Sequence, residues 1–437
     1  MEIRLDYGRD GLTIDLPDGL NVSVIEPAKG TPLPDPTGAI ADALAHPIGT
    51  RPLAEIAHGR RDAVVVISDK TRPVPNGLTL PVILRTIESA GVSRDRIEIL
   101  VATGLHRANT TDELVAMINA EIVANYRIRN HDARNAAEHV HLGRTALGTE
   151  IWLDRGFINA DLKVCCGLIE PHLMAGYSGG RKAVAPGLAG VDTMRSAHGA
   201  AMLEGNVGPG IIEGNPFHDD LLEIARRARV DFLVDVTINR TRELTGVFAG
   251  DIVAAHAAGV RFVEHEVCVA LDAPADIVIT CGGGFPLDDT YYQSIKGMVA
   301  ALNIVKRGGT IILAAALTEG IGSEAFQRLL RETRGDNDFM ARITAPGFFN
   351  IDQWMVQHLC QVLRKANVIV VTDGMSADTV RTLLVDHAPT VEEALVRARG
   401  HVGANPHVAV LPQGPYVLAT VRGRKLSLGR AWMDAAA

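Results

Sequence analysis

Ala63-Val64-Val65-Val66-Ile67-Ser68 runs straight into Asp69-Lys70-Thr71-Arg72-Pro73, a β-branched apolar run followed by a charged loop closed by proline. The run does not alternate with polar residues. It therefore reads as a strand covered on both faces, as in a parallel sheet packed between helices. The theme recurs along the chain. Ile97–Ala102 leads into Thr103-Gly104-Leu105-His106-Arg107, Leu162–Cys166 into a loop bearing His172, and Asp276–Thr280 into Gly282-Gly283-Gly284. Helix-like stretches lie between, at 79–91, 219–229, 251–260 and 290–304. Strands alternating with helices predict an α/β fold with largely parallel or mixed sheets. Ligands of such sheets bind at the carboxyl ends of the strands, where these polar loops sit.

At 437 residues the chain is long enough for two or three domains. Asp272-Ala273-Pro274-Ala275 interrupts the pattern. We expect an N-terminal α/β domain over 1–270, completed by 404–437, and a C-terminal α/β domain over 271–403, with the active site in the cleft between them. The tail strand His407–Leu411 is compatible with packing on either unit.

The formal charge of −8 argues against a nucleic-acid partner, which needs a broad basic face. No apolar run is long enough for a transmembrane helix, and the start Met1-Glu2-Ile3-Arg4-Leu5-Asp6 carries no signal-peptide core. The five cysteines, Cys165, Cys166, Cys268, Cys281 and Cys360, form no C-x-x-C pair and read as buried thiols of a reducing, cytoplasmic compartment.

Gly176-Tyr177-Ser178-Gly179-Gly180-Arg181-Lys182-Ala183 does not fit the P-loop, and Gly282-Gly283-Gly284 lacks the third glycine of the dinucleotide fingerprint. What remains is histidines and cations at strand ends. His106 and His172 suit acid–base work near neutral pH, or each is an ordinary loop histidine. Gly179 and Gly180 would let the backbone approach a ligand, with Arg181 and Lys182 facing an anion. An apolar flank, Ala183-Val184-Ala185, would draw that loop inward, and a lysine so placed can lose its proton and anchor a cofactor. His198 alone does not define a metal site. Arg72 can grip a carboxylate or phosphate. Gln293 and Lys296 share one face of a helix start after Asp288-Asp289-Thr290. Trp354 reads as a core residue or a wall of the substrate pocket.

These pieces, Asp69-x-Thr71-Arg72-Pro73, Thr103-Gly104-x-His106-Arg107, Glu170-Pro171-His172, Gly176 to Lys182, His198 and Tyr292-Gln293-Ser294-x-Lys296-Gly297, occur in an order that resembles the nickel-dependent lactate racemase family over nearly the whole chain. The resemblance implies a nickel-pincer nucleotide, a pyridinium mononucleotide with two sulfur-bearing arms. By it, Lys182 would be the covalent anchor and His198 the protein ligand to nickel. Asp69, Lys70, Thr71 and Arg72 would contact the nucleotide, and Arg72, Gln293 and Lys296 would hold a 2-hydroxy acid, with Trp354 nearby. His106 and His172 would exchange the hydroxyl proton on opposite faces while hydride leaves C2 and returns. Cofactor biosynthesis and insertion proteins would be partners. Two alternatives stay open: a nicotinamide-dependent hydroxy-acid oxidoreductase, and a non-catalytic cofactor carrier on the same scaffold.

Overall fold

The computed structural model describes residues 1–203, 205–345, 348–403 and 405–424. Two six-stranded sheets organise it. The first runs Leu244–Gly250, Phe232–Ile238, Leu162–Leu168, Ala63–Ser68, Ile97–Ala102 and Arg127–Asn130, parallel except for the antiparallel pair 232–238 with 244–250. The second runs Asp386–His387, Asn367–Val371, Val305–Ala314, Ala275–Cys281, His407–Leu411 and Asn21–Val24, parallel throughout. The expected helices form over Asn76–Ser89, Pro216–Ala228, Ala254–Val267 and Tyr291–Ala301. Strand 162–168 is buried at every position, as its uninterrupted apolar run requires.

The pairing revises the expected boundaries at both chain ends. His407–Leu411 pairs with Ala275–Cys281 and so lies in the second sheet, and Leu418–Val421 pairs with Cys268–Leu271. Asn21–Val24 joins the same sheet beside 407–411, and the hairpin Glu2–Leu5 with Leu12–Asp15 buries Leu5, Ile14 and Leu16 against it. The described tail therefore completes the C-terminal unit, and the first 25 residues belong there too. Residues 404 and 425–437 of the expected tail segment lie outside the described residues. Four cysteines are buried as expected, whereas Cys268 is exposed on its short strand. One contiguous apolar core contains Val66, Leu100 and Cys165 of the first sheet with Val278, Ile311 and Val370 of the second. No described helix is long and apolar enough to cross a membrane.

Strand order positions the site. In the first sheet the chain leaves 63–68 toward 97–102 and 127–130, then returns to the other side of 63–68 with 162–168. The crevice at that reversal lies between the loops after 68 and after 168. In the second sheet the chain leaves 275–281 toward 305–314, 367–371 and 386–387, then returns to its other side with 407–411. Its crevice lies between the loops after 281 and after 411. The two crevices face each other, because Arg72, Glu170 and His172 line one pocket with Leu287, Lys296 and Tyr416.

Candidate active site

Asp69 and His106 come from neighbouring strand ends and meet at 2.6 Å through Asp69 Oδ2 and His106 Nδ1. The other carboxylate oxygen, Oδ1, accepts the Thr71 amide at 3.1 Å and the Thr71 hydroxyl at 2.6 Å. Burial alone would raise the Asp69 carboxyl, but His106, Thr71 and Arg72 outweigh it and hold it below the ordinary range. Asp69 and Thr71 were expected to contact a nucleotide. Here their side chains bond to each other, and Asp69 orients His106. Lys70 Nζ lies 3.1 Å from Glu113 and 4.0 Å from Glu319, so it too is engaged, in part across the cleft.

His172 sits on a tight hairpin in which Pro171–His172 pairs with Gly176–Tyr177. The turn aims two backbone amides at its ring: Met174 and Ala175 each donate to Nδ1 at 3.1 Å. Gly176 has φ +75°, and a Cβ there would collide with the Ile211 carbonyl at 2.3 Å, so this turn demands glycine. Burial, with the charges of Lys182, Arg72, Lys296 and Arg181, pushes the His172 imidazole well below its usual pKa. Arg72, from the facing loop, lies 3.4 Å from Glu170 and closes the crevice between the two strand ends.

Lys182 is half-buried in a 3-10 turn over Gly180–Ala183. Burial and the cations Arg72, Arg181 and Lys296 push its ammonium well below the usual value, with Glu170 opposing. Lys296 is pushed down to about 7 by burial and Arg72, with Glu170 and Asp69 opposing. Gln293 shares the first turns of the same helix, and its buried Oε1 has no hydrogen-bond partner.

His198 ends the helix Val191–Ala197 and is buried. Its Nδ1 lies 3.2 Å from the Met194 carbonyl, so Nδ1–H donates and the Nε2 lone pair is left free. The ring rests 4.7 Å from Trp354 and 5.1 Å from Phe217, centroid to centroid. Burial, Lys182 and His358 push its pKa down to about 3, which keeps it neutral. A neutral imidazole oriented by a carbonyl on its other nitrogen suits a metal ligand. Among the described residues no three His, Cys, Asp or Glu side chains gather around a common point. His198 therefore fits a metal whose remaining ligands come from elsewhere, and Lys182 fits an anchor whose amine gives up its proton more readily than an exposed lysine.

Two expectations are corrected here. Arg181 is 1% exposed and donates to the Ala175 and Tyr177 carbonyls, with Nη1 3.0 Å from His256, so it buttresses the His172 hairpin instead of facing an anion. Gly179 and Gly180 make room for Asp235 and His256, not for a ligand. Trp354 is 7% exposed, donates its indole N–H to the Tyr292 hydroxyl at 2.9 Å and packs on His198. Glu170 and Tyr416 line the cleft, and the sequence reading assigned them no role. Glu170 lay within a quoted motif. Tyr416 follows the end of strand 407–411, a position that itself marks ligand loops in parallel sheets.

A two-sheet α/β protein is thus defined, with two oriented histidines, a lysine of depressed pKa and a buried histidine with one ring nitrogen free. The lactate racemase N-terminal domain family matches residues 7–209, and the lactate racemase C-terminal domain family matches 271–419. Lactate racemase of Thermoanaerobacterium thermosaccharolyticum is 35% identical over 95% of this chain and 98% of its own, and lactate racemase of Lactiplantibacillus plantarum is 36% identical over 86% and 89%. The apoprotein structure of the Thermoanaerobacterium enzyme superposes with a TM-score of 0.90, covering 96% of this chain and all of that one. A Thermotoga maritima protein, 16% identical, shares the fold at a TM-score of 0.71 over 90% of this chain. The chain belongs to the lactate racemase family and is an isomerase.

Proposed function

We propose that the chain inverts C2 of a 2-hydroxy acid, using a nickel-pincer nucleotide anchored at Lys182 and ligated through His198. The observation that carries this reading is that Lys182 lies close enough to both His172 and His198 for its charge to depress each of them. The lysine and the two histidines therefore lie near one another, as a common site for anchor, metal ligand and acid–base group requires. When bound, the cofactor supplies a reversible acceptor for the hydride on C2. The protein does the rest. Arg72 and Lys296 attract the substrate carboxylate from opposite domains, and Gln293 supplies an amide beside them. His106 and His172 exchange the hydroxyl proton, each on its own face of the planar keto acid. Glu170 competes with the carboxylate for Arg72 until substrate arrives. Proteins that build and insert the cofactor are the implied partners.

The test is to produce the protein alongside the cofactor-building pathway, weigh it intact, map the adduct, and assay lactate and larger 2-hydroxy acids on a chiral column. An adduct on Lys182, with inversion lost in His106→Ala and in His172→Ala, is the expected result. An unmodified Lys182 in a fully supplied host overturns the cofactor assignment. Net keto-acid formation in place of inversion would favour an oxidoreductase.

A further inference from the structure

The two histidines are not equivalent, and the difference lies in which ring nitrogen each has free. At His106, Nδ1 faces a carboxylate held below its usual pKa. A carboxylate only accepts, so Nδ1 carries the proton and Nε2 presents a lone pair. At His172, Nδ1 faces two amides, which only donate. Nδ1 must therefore be bare, and Nε2 carries the proton. Both arrangements are built from behind. Thr71 fixes the Asp69 carboxylate through two hydrogen bonds. The carbonyl of Met174 is held by Asn215 Nδ2 at 2.7 Å, and that of Ala175 by Arg181.

We propose that Asp69 and the Met174 and Ala175 amides set the acid–base pair in opposite tautomers, so that the resting enzyme offers one proton acceptor, His106 Nε2, and one hydrogen-bond donor, His172 Nε2–H. This rests on the racemase reading above and deepens it. The enantiomer whose hydroxyl lies against His106 is ready for reaction: its O–H bond breaks, an N–H bond forms at Nε2, and Asp69 balances the imidazolium. The enantiomer whose hydroxyl lies against His172 is first held as a hydrogen-bond acceptor. Its own proton can pass to Nε2 only if the ring proton moves from Nε2 to Nδ1, the neutral tautomer that turns an N–H toward the Met174 and Ala175 amides and is therefore disfavoured. Asp69 is a positioning residue on this account, and so are Asn215 and Arg181.

The tautomers are measurable without cofactor or turnover, which separates this proposal from the racemase reading. Protein labelled with ¹⁵N in histidine is recorded by long-range ¹H–¹⁵N correlation at a pH where the rings are neutral, with H106Q and H172Q to assign the signals. His106 should show the Nδ1–H pattern and His172 the Nε2–H pattern. In D69N, whose amide can present N–H to the ring, His106 should switch to Nε2–H while His172 is unchanged. In loaded D69N, kcat should fall by about 10³-fold or more with KM nearly constant, by analogy with loss of the orienting carboxylate in a serine protease triad. The same tautomer at both histidines, or a doubly protonated His172, overturns the proposal. If D69N fails to fold, the wild-type spectrum alone decides. Correct tautomers in a protein that inverts no 2-hydroxy acid would leave the assignment standing and sink the racemase reading.

Discussion

Gly180 has φ +53°, and a Cβ placed on it would lie 2.7 Å from the His256 ring. Both facts bear on Lys182 two residues later, because Gly180 opens the turn that carries the lysine and donates its amide to Asp235 at 2.9 Å. An alanine here meets two separate penalties. The left-handed backbone costs roughly 1–2 kcal/mol in an L-residue, and forcing a buried ring to move costs roughly 1–3 kcal/mol more. Gly180→Ala should therefore lose about 2–5 kcal/mol in urea unfolding. Gly59→Ala separates the terms, since Gly59 has φ +77° with nothing within 4 Å of the added carbon. It should lose only the backbone part. Equal losses at the two positions would show that His256 yields freely and that the Lys182 turn is not packed as described.

At the scale of elements, the helix Pro216–Ala228 does more than cover the first sheet. Its cap, Asn215, is fully buried and spends both ends of its amide. Oδ1 accepts from the Phe217 and His218 amides, while Nδ2 donates to the Met174 and Ile211 carbonyls. The helix start is thereby tied to the hairpin that holds His172. An ordinary cap is worth about 1 kcal/mol. Here removal also strands two buried carbonyls at roughly 1–3 kcal/mol each. Asn215→Ala should cost about 3 kcal/mol or more, and hydrogen exchange over 172–177 should rise even where the fold survives. Asn215→Asp keeps the cap but loses both donors, so it should loosen the hairpin while sparing the helix start. Unchanged exchange at 172–177 in both variants would show that the tie carries no load. Nothing in the spacing of the sequence announces this link. Strands, helices and the order of the loops were readable because continuous apolar runs and helical periods are local signals. Contacts such as Asp69 with His106, 37 positions apart, follow only from strand order. Asn21–Val24 escaped notice because it is short, alternates polar residues with valine and has no buried position, and its place beside His407–Leu411 comes from tertiary pairing alone.

Across the whole molecule, the same burial that tunes the site sets how the protein responds to acid. Burial pushes His198 and His256 down to about 3 and His218 and His358 to about 4, and drives His172 well below its usual value. In the unfolded chain each titrates near 6.5. Below that pH the unfolded state binds protons that the folded state refuses, so stability is complete above 6.5 and drains away as pH falls toward 4. Each such histidine costs about 1.4 kcal/mol by pH 5.5. Asp235 works in the opposite direction. Its carboxyl, raised by burial to about 7, binds a proton in the folded state first and gains stability between 7 and its ordinary 3.8. Burial also raises Asp6, Asp288, Asp352 and Glu266, which oppose the loss from the acid side. Five histidines, joined by the depressed Lys182 and Lys296, outweigh one strongly shifted carboxyl and leave a net loss of about 5 kcal/mol or more between pH 7.5 and 5.5, a large part of the stability of an ordinary domain. The urea midpoint of cofactor-free protein should fall steeply over that range at constant ionic strength. Asp235→Asn removes the opposing term and should steepen the fall. A flat midpoint from pH 7.5 to 5.5 would mean that these rings take up protons while folded, and with that the neutral His198 and bare His172 Nδ1 on which the site depends would both be lost.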